Sequence, residues 1–301
     1  MSSARHAQPG GPPRPLGAHM SVSGSFTTAV AEAVTAGADA LQIFTKSQLR
    51  WQAPPISDAA AREFRAACRA VGLRFLCAHD SYLINLAAGG AELWDKSVAS
   101  LAHELERAAQ LEVGCLVLHP GSPKDDGAAE GIRRIVKGLR EVLRLTAGNP
   151  VRLALENTAG QGATLGASMT ELAAMIAGCD GDPRLGVCLD TCHAFAAGHD
   201  LRTPQAVAAL ADAMAAGFGL ERLLLLHLND SLKDCGSRVD RHTHIGEGCI
   251  GEAGFRCLLA ESRFKGIPGI LETPKGDDPT LADDRRNLAT LRRLEADGAP
   301  G

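Results

Sequence analysis

LGVCLDTCHAFAAG, residues 185–198, opens on an unbroken apolar run at 185–189 and then breaks into Asp190-Thr-Cys-His193. A run this short, with no polar alternation, reads as a strand buried on both faces, as in a parallel sheet covered by helices. It closes on a carboxylate, with an imidazole three residues further on. The same design recurs along the chain. Short apolar runs at 16–20, 40–44, 75–78, 115–118, 152–155, 223–228 and 269–271 read as strands, and helical periodicity fills 26–36, 57–71, 92–110, 127–145, 168–178, 204–216, 253–262 and 283–296. Eight strands alternating with eight helices predict an α/β fold, a TIM (β/α)8 barrel in a single domain. Residues 15–296 would form the barrel, 1–14 a disordered N-terminal tail and 297–301 a C-terminal tail. Ser57 and Ser168 read as N-caps, Pro204 as an opening turn, and Gly72, Gly178 and Gly217 as helix stops. The longest connections, the Gly89-containing segment and residues 229–251, would both emerge on the mouth of the barrel.

At 301 residues and 45% hydrophobic, the chain can bury a substantial core. No apolar run approaches the 18 or more residues that span a bilayer, and residues 1–14 lack the apolar centre of a signal peptide, so no membrane partner and a cytoplasmic location are expected. The nine cysteines are odd in number and scattered through apolar runs, which reads as reduced core thiols. Cys77 and Cys192 lie close to candidate ligands, but oxygen and imidazole donors outnumber them, and Cys77 is expected to face away from the side His79 uses. A formal charge of −4 argues against binding nucleic acid through a broad basic surface.

Function is signalled by what closes the strands. His79, His119, Glu156, Asp190, His193, His227, Asp240, His242 and Glu272 each end or closely follow an apolar run or lie in the long 229–251 loop. Ligands delivered at the same end of successive parallel strands converge on one mouth. Unpaired carboxylates there carry a desolvation cost that a cation removes, so a ring of them is poorly explained by packing. Mixed imidazole and carboxylate sets hold zinc foremost, with manganese possible. Nine ligands exceed one tetrahedral ion and, with one bridging carboxylate, suit three. Four ligand carboxylates contribute −4 and three divalent ions would contribute +6, converting a pocket that repels phosphate into one of about +2. His19 is open between a contact to phosphate, a supporting role and a structural one; Lys46 is equally open, and His199 and His244 read as solvated loop residues.

The motifs around these positions resemble the endonuclease IV family of apurinic/apyrimidinic (AP) endonucleases: GAHMSVSG at 17–24, HDSYLINL at 79–86, HPGS at 119–122, LENTAGQG at 155–162, DTCHAFAAG at 190–198, HLNDS at 227–231, GSRVDRH at 236–242, GEG at 246–248 and LETP at 271–274. The resemblance runs from about Pro15 to Leu294. It implies a barrel holding three zinc ions, with Glu156 bridging two. His79 and His119 would complete the first site, Asp190, His227 and Glu272 the second, and His193, Asp240 and His242 the third. The implied reaction is DNA repair: hydrolysis of the phosphodiester 5′ to an abasic site in double-stranded DNA, leaving a 3′-hydroxyl and a 5′-deoxyribose phosphate, with removal of blocked 3′ ends as a second activity. Glu156 would be catalytic as well as a ligand, orienting the attacking water. Monomeric action fits such a substrate.

By sequence alone, Tyr82 and Leu83 suit either a wedge for a gapped base stack or a loop packed on the barrel. The family uses this pair to probe DNA. The loop at 45–51 departs from the family pattern, with Leu49 where an inserting arginine is common and Arg50 beside it. Two other functions compete. A divalent-metal sugar isomerase or epimerase on the same barrel needs one or two ions and leaves His79, His119 and the Asp240/His242 pair unexplained. A damage-binding module without turnover should have lost ligands, and none is missing.

Overall fold

Apolar runs can bury both faces of a sheet only when side chains fill one side and helices cover the other. The computed structural model, which describes residues 13–276 and 278–297, has that arrangement. Strands β1 (Leu16–His19), β2 (Ala40–Phe44), β3 (Phe75–His79), β4 (Cys115–Leu118), β5 (Arg152–Glu156), β6 (Leu185–Asp190), β7 (Leu223–His227) and β10 (Gly269–Leu271) close into a parallel barrel, with β1 paired to both β2 and β10. Two short strands, β8 (Asp230–Ser231) and β9 (His242–Thr243), pair antiparallel within the long loop after β7. The outer layer is α1 (Phe26–Ala36), α2 (Asp58–Ala70), α3 (Ala91–Gln110), α4 (Ala128–Leu145), α5 (Met169–Gly178), α7 (Pro204–Gly217), α8 (Gly251–Ala260) and α9 (Ala282–Asp297). The expected TIM barrel is therefore the fold. One helix was not foreseen: α6 (Thr191–Ala196), six residues that continue directly from β6.

Period-two geometry determines what fills the barrel. Cys77, Val117, Ala154, Cys188, Leu225 and Ile270 pack together in the interior. Two residues after each of them stands His79, His119, Glu156, Asp190, His227 or Glu272. The small apolar layer thus forms the floor of the ligand layer. Cys77 does not face away from the side that His79 uses: residues two apart on a strand share a face, so Cys77 points the same way as His79, one layer deeper. Close approach at the ring matters too, since a Cβ on Gly17 would lie 1.8 Å from the Ala40 carbonyl oxygen.

Helices pack on the outside through regular stripes, such as Ala61, Phe64 and Cys68 on α2. Ser57 caps α2 by accepting the Ala60 amide, and Ser168 forms a capping box with Glu171 on α5. Gly72, at φ +74°, ends α2 as expected. Gly178 and Gly217 do not act as stops. Both are the last helical residues, and a Cβ on Gly178 would meet Val136 of α4 at 2.6 Å, so close helix packing is what requires glycine there. Arg14, assigned to the tail, is buried and ties the barrel bottom together, donating to the Ile267 carbonyl at 2.6 Å and pairing with Glu295 at 3.1 Å. The rest of the expected N-terminal tail, apart from Pro13, lies outside the described residues, as do residues 298–301. Among the described residues no helix is long and apolar enough to cross a membrane.

Candidate metal centre

All nine expected ligands meet at the C-terminal mouth. His79, Glu156, Asp190 and His227 are strand-terminal residues; His119 and Glu272 follow directly on β4 and β10. His193 is delivered by α6, which forms because Asp190 caps it, one carboxylate oxygen accepting the His193 amide at 2.7 Å. Asp240 and His242 come from the long loop. That loop is held by Asp230, a buried carboxylate that accepts the amides of Ser231, Gly246, Gly248, Ile250 and Gly251 at 2.8–3.1 Å. A Cβ at Gly248 would lie 2.5 Å from the Asp230 oxygen, so the GEG turn needs its glycine to close on the carboxylate.

The two oxygens of buried Glu156 face different partners. Oε2 lies 3.1 Å from Nε2 of both His79 and His119; Oε1 lies 3.1 Å from His227 Nδ1 and 3.3 Å from His193 Nδ1. His227 Nδ1 is also 3.2 Å from Glu272 Oε2. On the far side His193 Nε2 lies 3.2 Å from Asp240 Oδ2, and His242 Nε2 lies 3.3 Å from Asp240 Oδ1 and 3.4 Å from His193 Nε2. Three sets can each close on a point: His79, His119 and Glu156; Glu156, Asp190, His227 and Glu272; and Asp190, His193 and His242, the last joined by Asp240. Asp190 is shared between the second and third, where the resemblance implied the second alone.

These separations provide a fit test. Donors 2.0–2.1 Å from one tetrahedral zinc lie about 3.3 Å from each other. The observed spacings bracket that value, closer than neutral packing requires and suited to imidazole and carboxylate donors sharing cations. Cys192 is within reach of Asp240 and His242, but burial pushes its thiol up to about 12, and that of Cys188 likewise.

Electrostatics point the same way. Burial lowers the affinity of His79 for a proton, yet its bonds to Asp80 and Glu156 outweigh that and hold it well above the usual histidine range. His193 behaves alike through Asp190, Asp240 and Glu156, and His227 through Glu272 and Glu156. Burial would raise Glu156, but His227, His119 and His193 hold it well below the carboxylate range; Glu272 is lowered chiefly by His227. Without cations, protons take up the charge that the carboxylates demand. His19 differs, since burial pushes it down to about 3.

Sequence reading missed the polar residues that orient the ligands. Asn157 exchanges bonds with the Asp190 backbone and its carbonyl accepts from His193 Nδ1 at 2.9 Å. Asn229 donates to Asp190 Oδ2 at 2.7 Å and accepts the Glu272 amide at 2.7 Å. Gln42, wholly buried in β2, touches His227 and Glu272. Their signal was present: a polar side chain in an apolar strand, or one or two places beyond a ligand. His244 was misread, because it is half-buried with its Nδ1 3.1 Å from the Asn287 amide nitrogen.

Above the metal centre the residues expected to touch DNA divide. Tyr82 is 62% and Leu49 73% exposed, and Arg50 is exposed beside it, whereas Leu83 is half-buried. The exposed apolar pair is thus Leu49 with Tyr82. Their loops are stitched together, Ser81 Oγ donating to the Gln48 carbonyl at 2.6 Å. Lys46 is not free to meet phosphate: it is buried against Glu104 at 2.7 Å.

Residues 30–294 match the family model described as a xylose isomerase-like TIM barrel. A relative named probable endonuclease 4 from Chloroflexus aurantiacus is 46% identical over 279 residues, 93% of this chain and 97% of its own. The chain belongs to the endonuclease IV family. The crystal structure of endonuclease IV from Thermus thermophilus superimposes with a TM-score of 0.82 at 42% identity, covering 94% of this chain and 99% of that one. Sugar enzymes share the architecture at lower identity: a 3-keto-D-glucoside 4-epimerase from E. coli gives a TM-score of 0.69 at 16% identity over 93% of this chain and 99% of that one, a likeness of fold alone.

Proposed function

We propose that this endonuclease IV family member is a DNA repair AP endonuclease that hydrolyses the phosphodiester 5′ to an abasic site, leaving a 3′-hydroxyl and a 5′-deoxyribose phosphate, and clears blocked 3′ ends at the same centre. The observation that carries this reading is the three-part donor cluster joined through Glu156 and Asp190, with spacings suited to three zinc ions, manganese being an alternative at one or more positions. When bound, the ions supply Lewis acidity to the phosphodiester and lower the pKa of the attacking water. Glu156 divides its oxygens between two ligand sets and is placed to accept a hydrogen bond from that water. No side-chain nucleophile is needed.

Damage selection falls to the loops. Leu49 and Tyr82 are exposed apolar groups on two joined loops, suited to filling the space of a missing base, with Arg50 beside them for the strand backbone. Extruding an abasic nucleotide costs less than extruding a paired one, so such a wedge favours lesions. A sugar isomerase would need no exposed aromatic above its metals.

The test is incubation of a duplex bearing one abasic site, with and without chelator. Incision on the 5′ side that stops on metal removal and returns with zinc supports the reading. Binding without incision, or ketose–aldose conversion, contradicts it.

A further inference from the structure

Gln42 makes four polar contacts from inside β2. Its Nε2 lies 2.5 Å from Glu272 Oε1 and 3.1 Å from His19 Nδ1, while its Oε1 lies 2.9 Å from His227 Nε2 and 3.3 Å from Cys77 Sγ. A primary amide has two N–H donors and an oxygen with two lone pairs, so these contacts use its full capacity. The amide cannot be turned over, because its oxygen would then face the Glu272 carboxylate, acceptor against acceptor.

Two tautomers follow. With the amide oxygen against it, His227 Nε2 must carry the proton, which leaves the Nδ1 lone pair 3.1 Å from Glu156 Oε1 and 3.2 Å from Glu272 Oε2, where a cation would sit. With an amide N–H against it, His19 Nδ1 must be the acceptor, so the His19 proton is on Nε2. His19 also lines a cleft of about 720 Å³ with Ser21, Ser23, Glu32, Phe44, Leu49 and Lys275.

We propose that Gln42 is a positioning residue that sets both tautomers at once, aiming His227 Nδ1 at the metal cluster and making His19 Nε2–H a neutral donor to a phosphodiester oxygen in the adjoining cleft. The donor role rests on the phosphodiester reading above; the tautomer pair does not.

The test uses the full chain, zinc-loaded and labelled with ¹⁵N-histidine, in a two-bond proton–nitrogen correlation assigned with His19→Phe. The expected spectrum shows the proton on Nε2 of both rings. Gln42→Leu should scramble the His19 tautomer and weaken zinc binding about 10- to 100-fold at the weakest retained ion. His19→Phe should keep its zinc and lower kcat/KM on abasic duplex by about tenfold or more. A proton on Nδ1 of either ring in the unmodified protein, or unchanged zinc affinity in Gln42→Leu, overturns the proposal. Should Gln42→Leu fail to fold, the unmodified spectrum and His19→Phe still decide it. If the unmodified chain cleaves no abasic duplex, the phosphodiester reading fails separately, and the tautomers are still read from the spectrum.

Discussion

His193 Nε2 and Asp240 Oδ2 lie 3.2 Å apart, although one stands on a helix fused to β6 and the other on an irregular loop after β7. The loop reaches that position because Asp230 gathers five backbone amides at its base. Asp230→Asn replaces one acceptor with a donor facing N–H groups and removes the charge that strengthens those bonds. Zinc titration should show the weakest ion bound at least about tenfold less tightly, with the other two retained. Equal loss of all three ions would contradict the assignment of Asp230 to this loop alone.

Glu104 on α3 does the same for the loops that carry Leu49 and Tyr82. Its buried carboxylate accepts from the Ser81 amide and the Thr45 hydroxyl at 3.0 Å and pairs with Lys46 at 2.7 Å. Glu104→Ala leaves Lys46 buried without its partner, at a cost of about 3–5 kcal/mol. Thermal unfolding should show a large drop in Tm, and the dissociation constant for an abasic duplex should rise more than the KM for a small chromogenic diester.

Leu49→Ser and Tyr82→Ala remove the exposed apolar pair. Each should weaken abasic duplex binding by about tenfold, equivalent to ~1.4 kcal/mol, and Arg50→Ala should act in the same direction. Hydrolysis of a minimal diester, which reaches the mouth without these loops, should change far less. Equal losses in both assays would remove the loops from damage recognition.

The metal-stripped protein should respond to pH with a definite sign. His79, His193 and His227 are held above their ordinary range by carboxylates. A raised group stabilises the fold fully below its unfolded value of about 6.5, and that contribution is lost as pH climbs through the folded value. Glu156 and Glu272, held low, stabilise above about 4.5 and lose this as pH falls. Tm of the stripped protein should therefore fall as pH rises above about 6.5, while the zinc-loaded form, whose histidines would already have released their protons, changes much less. A stripped form that gains stability over that rise would contradict the charge assignment.

Much of this was legible because period-two strands translate position into direction. Glu156 ends Arg152–Glu156, so its place above Ala154 follows from counting, and the same holds for His79, His119, Asp190, His227 and Glu272. Errors arose where tertiary contacts override local pattern. Lys46 stays open in the sequence because its partner, Glu104, comes from a distant helix. Gly178 looked like a stop, but Val136 of the neighbouring helix needs the space. Leu83 follows Tyr82 in sequence, yet it is Leu49, from another loop, that is exposed with it. Gln42 read as one more residue of a buried strand because its partners come from β1, β3, β7 and the loop after β10. The short α6 escaped notice because Asp190 was weighed as a ligand and not also as a cap.

Metal content of the purified, unmodified chain, measured by mass spectrometry against protein concentration, decides whether the donor cluster holds three ions. Three divalent ions per chain, falling together with incision of abasic duplex on chelation, is the expected result. One ion or none in a chain that still incises would contradict it.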